Sequence, residues 1–218
     1  MNKKNIPKKV TNFKEFSKEF GELKKNEDIE EIPCIVITGP PGCGKGTQSK
    51  IIAKGKRWKH VSTGDILRLS SNKEVKDLMK SGELLPDELV DKELISYLRE
   101  YSKDHDPRGF IFDGYPRNIT QRDIFNEICR VNKLKLVYVF FINGSEELLK
   151  KRIINRGKTS GRSDDKSEKA FNKRMEEYND QTLPMIESMR NGDNFLEISA
   201  SRNLEEISKI IFNKLDEI

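Results

Sequence analysis

The sequence predicts an α/β fold built on a five-stranded parallel sheet. Three observations carry this expectation. Short apolar runs at 34–37, about 58–62, 109–112, 136–142 and 195–198 read as strands, segments of helical period separate them, and 218 residues suffice for one domain with insertions. Hydrophobic residues make up 34% and charged residues 35%, which is polar for a globular protein, yet Ile35-Val36-Ile37 and Leu136 to Ile142 can build a core, so disorder throughout is excluded. Lys plus Arg is 41 against 36 Asp plus Glu, a formal net charge of +5 with both signs mixed along the chain. That balance gives no ground for nucleic-acid binding.

In chain order, residues 1–32 form a charged N-terminal extension in which Phe13, Phe16, Phe20 and Leu23 fall at steps of three and four. This spacing lays an apolar stripe along an amphipathic helix. Its polar face mixes Lys with Glu, which fits a stripe that packs on the body or stays half-ordered better than a membrane or partner helix. Residues 33–218 read as the folded domain. About 45 residues separate the second and third strands and about 50 the fourth and fifth, and inserted subdomains are expected in those two long connections. Cys34, Cys43 and Cys129 are an odd number with no close pair, and the only histidines are His60 and His105, so neither a disulfide framework nor structural zinc is expected. No apolar run nears the roughly 18 residues that span a bilayer and no hydrophobic signal region follows the first lysines, which predicts a soluble protein of a reducing compartment.

The first strand runs into Gly39-Pro40-Pro41-Gly42-Cys43-Gly44-Lys45 and then a helical segment, which is G-x-x-x-x-G-K in its strand-to-helix setting. Such glycines let the backbone curl so that successive N–H groups point at phosphate oxygens. The helix N-terminus adds its positive dipole end, and Lys45 reaches the outer phosphates. A Cβ at Gly42 or Gly44 is expected to obstruct the curl. The loop therefore predicts nucleoside triphosphate binding through Gly42, Cys43, Gly44, Lys45, Gly46 and Thr47. The position after Lys45, ordinarily Ser or Thr for magnesium, is Gly46, with Thr47 one step later.

With Gly46-Thr47-Gln48 the loop resembles that of the adenylate kinase and UMP/CMP kinase family, with Cys43 as a small side chain in its variable slot. The resemblance covers 33 to about 215. It implies a P-loop NTPase three-layer fold with an acceptor-binding insert at about 62–100 and a short lid at about 156–166. Ser62-Thr63-Gly64-Asp65 ends the second strand, where Ser62 or Thr63 is able to cap a helix. The family's matching stretch implies Thr63 beside the acceptor base and Arg68 on its phosphate. Glu83, Leu84 and Leu85 resemble the turn whose backbone borders that base, although the segment between Arg68 and Gly82 is shorter than is usual.

Phe110-Ile111-Phe112-Asp113-Gly114-Tyr115-Pro116-Arg117 reads as a buried strand ending in a sharp turn at the carboxyl edge, where open α/β sheets bind ligands. There Asp113 can hold magnesium through water, with Thr47 as a second oxygen, and the Arg117 fork suits phosphate. By resemblance Gly114, Asn118 and Gln121 also line the acceptor site. Arg156, Arg162 and Arg174 then contact the transferring phosphates, Asp164 and Asp165 orient the closed lid, and Arg152 and Arg202 border the donor base. Thr63 and Gln121 favour AMP as acceptor, whereas Asn118 and the wording of the lid favour UMP or CMP; because the first pair would face the base and the lid faces phosphates, AMP is the expected acceptor and UMP or CMP the alternative.

The resemblance implies a magnesium-dependent nucleoside monophosphate kinase, cytoplasmic and monomeric, acting on small nucleotides without nucleic acid, stable membrane association or structural zinc. Rival classes are a non-catalytic nucleotide sensor or scaffold and a GTP switch. The switch rests on Asp106-Pro107-Arg108-Gly109 and Asn213-Lys214-Leu215-Asp216, the latter on a terminal helical pattern.

Overall fold

A computed structural model describes residues 31–81, 85–104, 107–157 and 168–218. The elements are β1 (Ile32–Thr38), α1 (Lys45–Lys56), β2 (Lys59–Ser62), α2 (Thr63–Leu69), α3 (Lys73–Ser81), α4 (Asp87–Asp104), β3 (Phe110–Asp113) and α5 (Ile119–Val131). They continue with β4 (Leu134–Asn143), α6 (Glu146–Gly157), α7 (Glu168–Glu177), a π-helical turn (Tyr178–Thr182), α8 (Leu183–Met189), β5 (Phe195–Ser199) and α9 (Leu204–Leu215). The five strands are parallel in the order β2-β3-β1-β4-β5. All five expected strands are present, with β1 starting at Ile32 and β4 at Leu134. Apart from Glu31 and Ile32, the expected amphipathic extension lies outside the described residues.

Both faces of the sheet are covered, which is why its strands read as continuous apolar runs. On β1, Cys34 and Val36 pack with Leu94 of α4 and Phe125 and Ile128 of α5, while Ile35 and Ile37 pack on the opposite side with Ile52 of α1, Leu149 and Ile153 of α6 and Ile211 of α9. Phe112 and Phe125 meet edge to face at 4.9 Å between ring centroids. Burying one such ring contributes about 1.5–3 kcal/mol. Cys34 and Cys129, far apart in sequence, approach to 3.9 Å between Sγ atoms as free thiols, a proximity that only the β1–α5 packing creates. The hydrogen bond with Cys129 and burial push the Cys34 thiol well up, which disfavours its thiolate.

The register sets the site. Asp113 is opposite Ile37 of β1 on one side and Ser62 of β2 on the other, so three strands end together at the carboxyl edge. Asn213 lies within α9 and Asp216 is its C-cap, which removes the loop geometry that the GTP switch needs.

Candidate active site

The turn after β1 is shaped by its glycines in two different ways. Gly42 has φ +87°, and a Cβ there would meet the Leu149 carbonyl oxygen at 2.6 Å. Gly44 has φ +97° but open space where a side chain would stand, so its requirement is conformational and not steric, which corrects the expectation of obstruction at both. Gly44 is the N-cap of α1, and its carbonyl accepts from the Thr47 and Gln48 N–H groups. Lys45 Nζ donates to the Gly39 and Pro40 carbonyls at 3.3 and 3.4 Å, folding its charge over the loop.

Beside this loop opens a cleft of about 240 Å³, lined by Gly42, Gly44, Thr47, Arg152, Arg156 and Arg202 among others. Cys43 lines it as well but is itself buried. Arg152 Nη2 donates to the Ala200 carbonyl at 2.8 Å and so ties α6 to the turn after β5. Gln48 joins α1 to α9, donating to the Leu204 carbonyl at 3.0 Å and accepting from Ser208 Oγ at 2.8 Å.

Asp113 stands between the two halves of the site. A Cβ at Gly46 would lie 3.2 Å from Asp113 Oδ2, so the glycine that departs from the usual loop leaves room for this carboxylate. His60 Nε2 lies 3.1 Å from the same oxygen. The sequence offered no sign of this pairing beyond a histidine two residues before the end of a strand, because it depends on β2 lying next to β3. Asp113 offers a hard oxygen donor 3.2 Å from the Cβ position of Gly46, and a carboxylate of this kind fits magnesium.

Across Asp113 the turn Gly114–Arg117 meets α2. Ser62, not Thr63, caps α2, its Oγ accepting from the Asp65 N–H at 3.4 Å. Thr63 Oγ1 donates to the Gly114 carbonyl at 3.1 Å, and Arg117 Nε donates to the same carbonyl at 2.7 Å. Arg68 Nη2 pairs with Asp65 Oδ1 at 2.5 Å. Protein crowds Arg117 although water reaches its side chain. That crowding, with the like charges of Arg174 and Arg68, lowers its pKa against the opposing pull of Asp113 and Glu177. Arg68 of α2 and Arg174 of α7 thus stand near enough to Arg117, in the turn after β3, for their charges to act on it.

Asn118 and Gln121 open α5. Asn118 Oδ1 caps the helix by accepting from the Gln121 N–H at 2.8 Å, and both side chains donate to Asp87 of α4. One turn along α4, Asp91 is fully buried and accepts from Tyr115 Oη at 2.6 Å. Burial chiefly, with Asp87 and Glu88 nearby, pushes its carboxyl up to about 7 against the lowering effect of the Tyr115 bond. Asp87 and Asp91 are site-forming residues that motif reading missed. A signal existed, because 87, 91, 94, 95 and 98 are spaced as one helical stripe whose other members are apolar.

Leu85 is half-buried ahead of α4. Glu83, Leu84, Arg162, Asp164 and Asp165, with most of the expected lid, lie outside the described residues.

A family model described as adenylate kinase matches residues 37–193. The chain is similar to the adenylate kinase of Flavobacterium johnsoniae, 33% identical over 190 residues that cover 84% of this chain and 98% of that protein. It is similar to that of Prochlorococcus marinus strain MIT 9301 at 37% over 187 residues, covering 83% and 97%. The adenylate kinase of Bacteroides fragilis strain YCH46 is 36% identical over 188 residues, covering 84% and 97%.

Proposed function

The chain belongs to the adenylate kinase family, and from that premise we propose that it transfers the γ-phosphoryl group of magnesium ATP reversibly to AMP. The observation that carries the proposal is that Asp113 stands 3.2 Å from the Cβ position of Gly46 in the phosphate loop and is also among the charges that act on Arg117, together with Arg174 and Arg68.

In this reading an ionised oxygen of the acceptor phosphate attacks the γ-phosphorus, and the bond to the β–γ bridging oxygen breaks. No protein general base is required. Such a transfer depends on positioning and on charge stabilisation. Lys45 and the loop N–H groups hold the donor chain, Arg68 and Arg117 hold the acceptor phosphate, and Arg156 and Arg174 neutralise the moving group. Arg162, Asp164 and Asp165 are assigned to the closing lid, which excludes water and strengthens these charges. Arg152 and Arg202 border the donor base, with Thr63, Leu85, Gly114, Asn118 and Gln121 on the acceptor side. Asp113, through water, with Thr47 nearby, would hold magnesium, which would supply charge neutralisation for the donor phosphates.

We assign catalysis to 33–218, with an acceptor insert at about 62–100 and a lid at about 156–166. The protein acts as a cytoplasmic monomer on small nucleotides, without nucleic acid or stable membrane association. Among the described residues no helix is long and apolar enough to cross a membrane.

The test is ADP formation from magnesium ATP with AMP, UMP, CMP, dCMP and GMP offered separately, beside a control without acceptor. AMP as the sole good acceptor supports the proposal, and preference for UMP and CMP moves selectivity toward Asn118. ATP binding with no acceptor-dependent turnover overturns it in favour of a nucleotide sensor.

A further inference from the structure

The Gln121 amide is held at both ends. Its Oε1 accepts from the Arg117 N–H at 2.8 Å, and its Nε2 donates to Asp87 Oδ1 at 2.7 Å. The Asp87 carboxylate also takes Asn118 Nδ2 at 3.0 and 2.9 Å on its two oxygens. An ionised carboxylate only accepts and a backbone N–H only donates, so chemistry dictates which end of the amide is which. A flipped amide would set oxygen against carboxylate and NH₂ against N–H. Gln121 is 3% exposed, which leaves it no room to turn while keeping these bonds.

With both bonds made, the amide retains one N–H and one oxygen lone pair in a fixed order. Glutamine pairs with adenine by accepting from the 6-amino group and donating to a neighbouring ring nitrogen. A 6-oxo purine presents the reverse order along its N1 edge, a carbonyl acceptor followed by a ring N–H. A glutamine free to rotate serves both by turning half a revolution, whereas a clamped one serves a single order.

We infer that Asp87 is a positioning residue that locks the Gln121 amide and thereby sets selection between 6-amino and 6-oxo purine monophosphates. The inference rests on the reading above in which Gln121 faces the acceptor base. Asp87 opens α4 while Gln121 opens α5, so the same carboxylate also fixes the acceptor wall to the strand-end turn that carries Arg117.

The experiment compares the KM for AMP and the inhibition constant of IMP against AMP in wild type, Asp87→Asn, Asp87→Glu and Asp87→Ala. Asparagine has the shape of aspartate but both donates and accepts, so it removes one of the two restraints on the Gln121 amide and leaves only the Arg117 N–H to hold its orientation. The ratio of the IMP constant to the AMP KM is expected to fall about tenfold in Asp87→Asn. It should do so with a larger change in AMP KM than in kcat and an unchanged KM for ATP. Asp87→Glu, which keeps an acceptor-only group, is expected to retain more of the ratio. Thermal melting shows whether Asp87→Ala folds, and the isosteric variant carries the test if it does not. AMP turnover with an unmoved ratio in Asp87→Asn overturns the inference and leaves Asp87 a structural anchor. Absence of AMP-dependent ADP formation in wild type is a separate result that removes the acceptor reading and the clamp with it.

Discussion

Replacing Asp91 with asparagine should stabilise the protein at alkaline pH relative to acid pH. Asp91 is fully buried, receives a single hydrogen bond from Tyr115 Oη, and its Oδ2 has no hydrogen-bond partner among the described residues. Its carboxyl is raised from 3.8 to about 7, first by burial and then by Asp87 and Glu88. Such a group costs nothing below its unfolded value, where both states hold the proton. Between roughly pH 4 and 7 the unfolded chain has lost the proton and the folded chain keeps it, so stability falls as pH rises and levels off above the folded value. The whole effect is about 4 kcal/mol, of which about 2–3 kcal/mol falls between pH 5 and pH 8. Asparagine preserves the acceptor for Tyr115 and does not ionise. Urea unfolding of wild type and Asp91→Asn at pH 5 and pH 8 measures the difference. The gap between them should move in favour of the variant by about 2–3 kcal/mol on going to pH 8. A gap that stays constant within about 0.5 kcal/mol would refute the claim that a buried, ionising Asp91 limits stability.

Lys45→Met and Arg117→Ala each remove a preorganised charge, and steady-state assays should find turnover lower by about a hundredfold or more with the thermal melt retained. Gly44→Ala should cost about 1–2 kcal/mol from its left-handed backbone alone. Gly42→Ala, which adds a Cβ 2.6 Å from the Leu149 carbonyl, should lower the melting temperature further. Chelation of magnesium should abolish ADP formation, with recovery on adding it back, if Asp113 serves as proposed. Removal of residues 1–30 should leave acceptor-dependent turnover intact when the truncated protein is assayed beside the full chain.

The sheet was legible because burial on both faces leaves a plain trace: Cys34 to Ile37 and Val139 to Ile142 are apolar without interruption, and such runs seldom arise otherwise. The phosphate loop was legible for a different reason, since backbone curl and phosphate charge leave few residue types that satisfy both. The anomaly at Gly46 could be noticed in the sequence but not explained there. In the fold it faces Asp113, 67 positions later, whose carboxylate oxygen would be in tight contact, at 3.2 Å, with a Cβ at 46. His60 was unreadable on the same ground, because its partner is fixed by strand order and not by local pattern.

Asp87 and Asp91 show where residue-by-residue inference stopped short. Each reads as an ordinary polar position near the start of a helix, where acidic side chains favour the dipole. Their spacing with Leu94, Ile95 and Leu98 puts Asp91 on the buried stripe and half-buried Asp87 at its head. A carboxylate there must find donors, and α4 finds them in Tyr115, Asn118 and Gln121. These three residues flank Arg117. Helix α4 is therefore fastened to the turn that presents Arg117, and an acceptor lost at Asp87 or Asp91 loosens that attachment. The two carboxylates divide these roles, stability at Asp91 and, in the proposed reading, acceptor recognition at Asp87. Substitutions at 87 and 91 should accordingly separate: Asp91→Asn changes the pH dependence of unfolding, and Asp87→Asn changes the discrimination between acceptors.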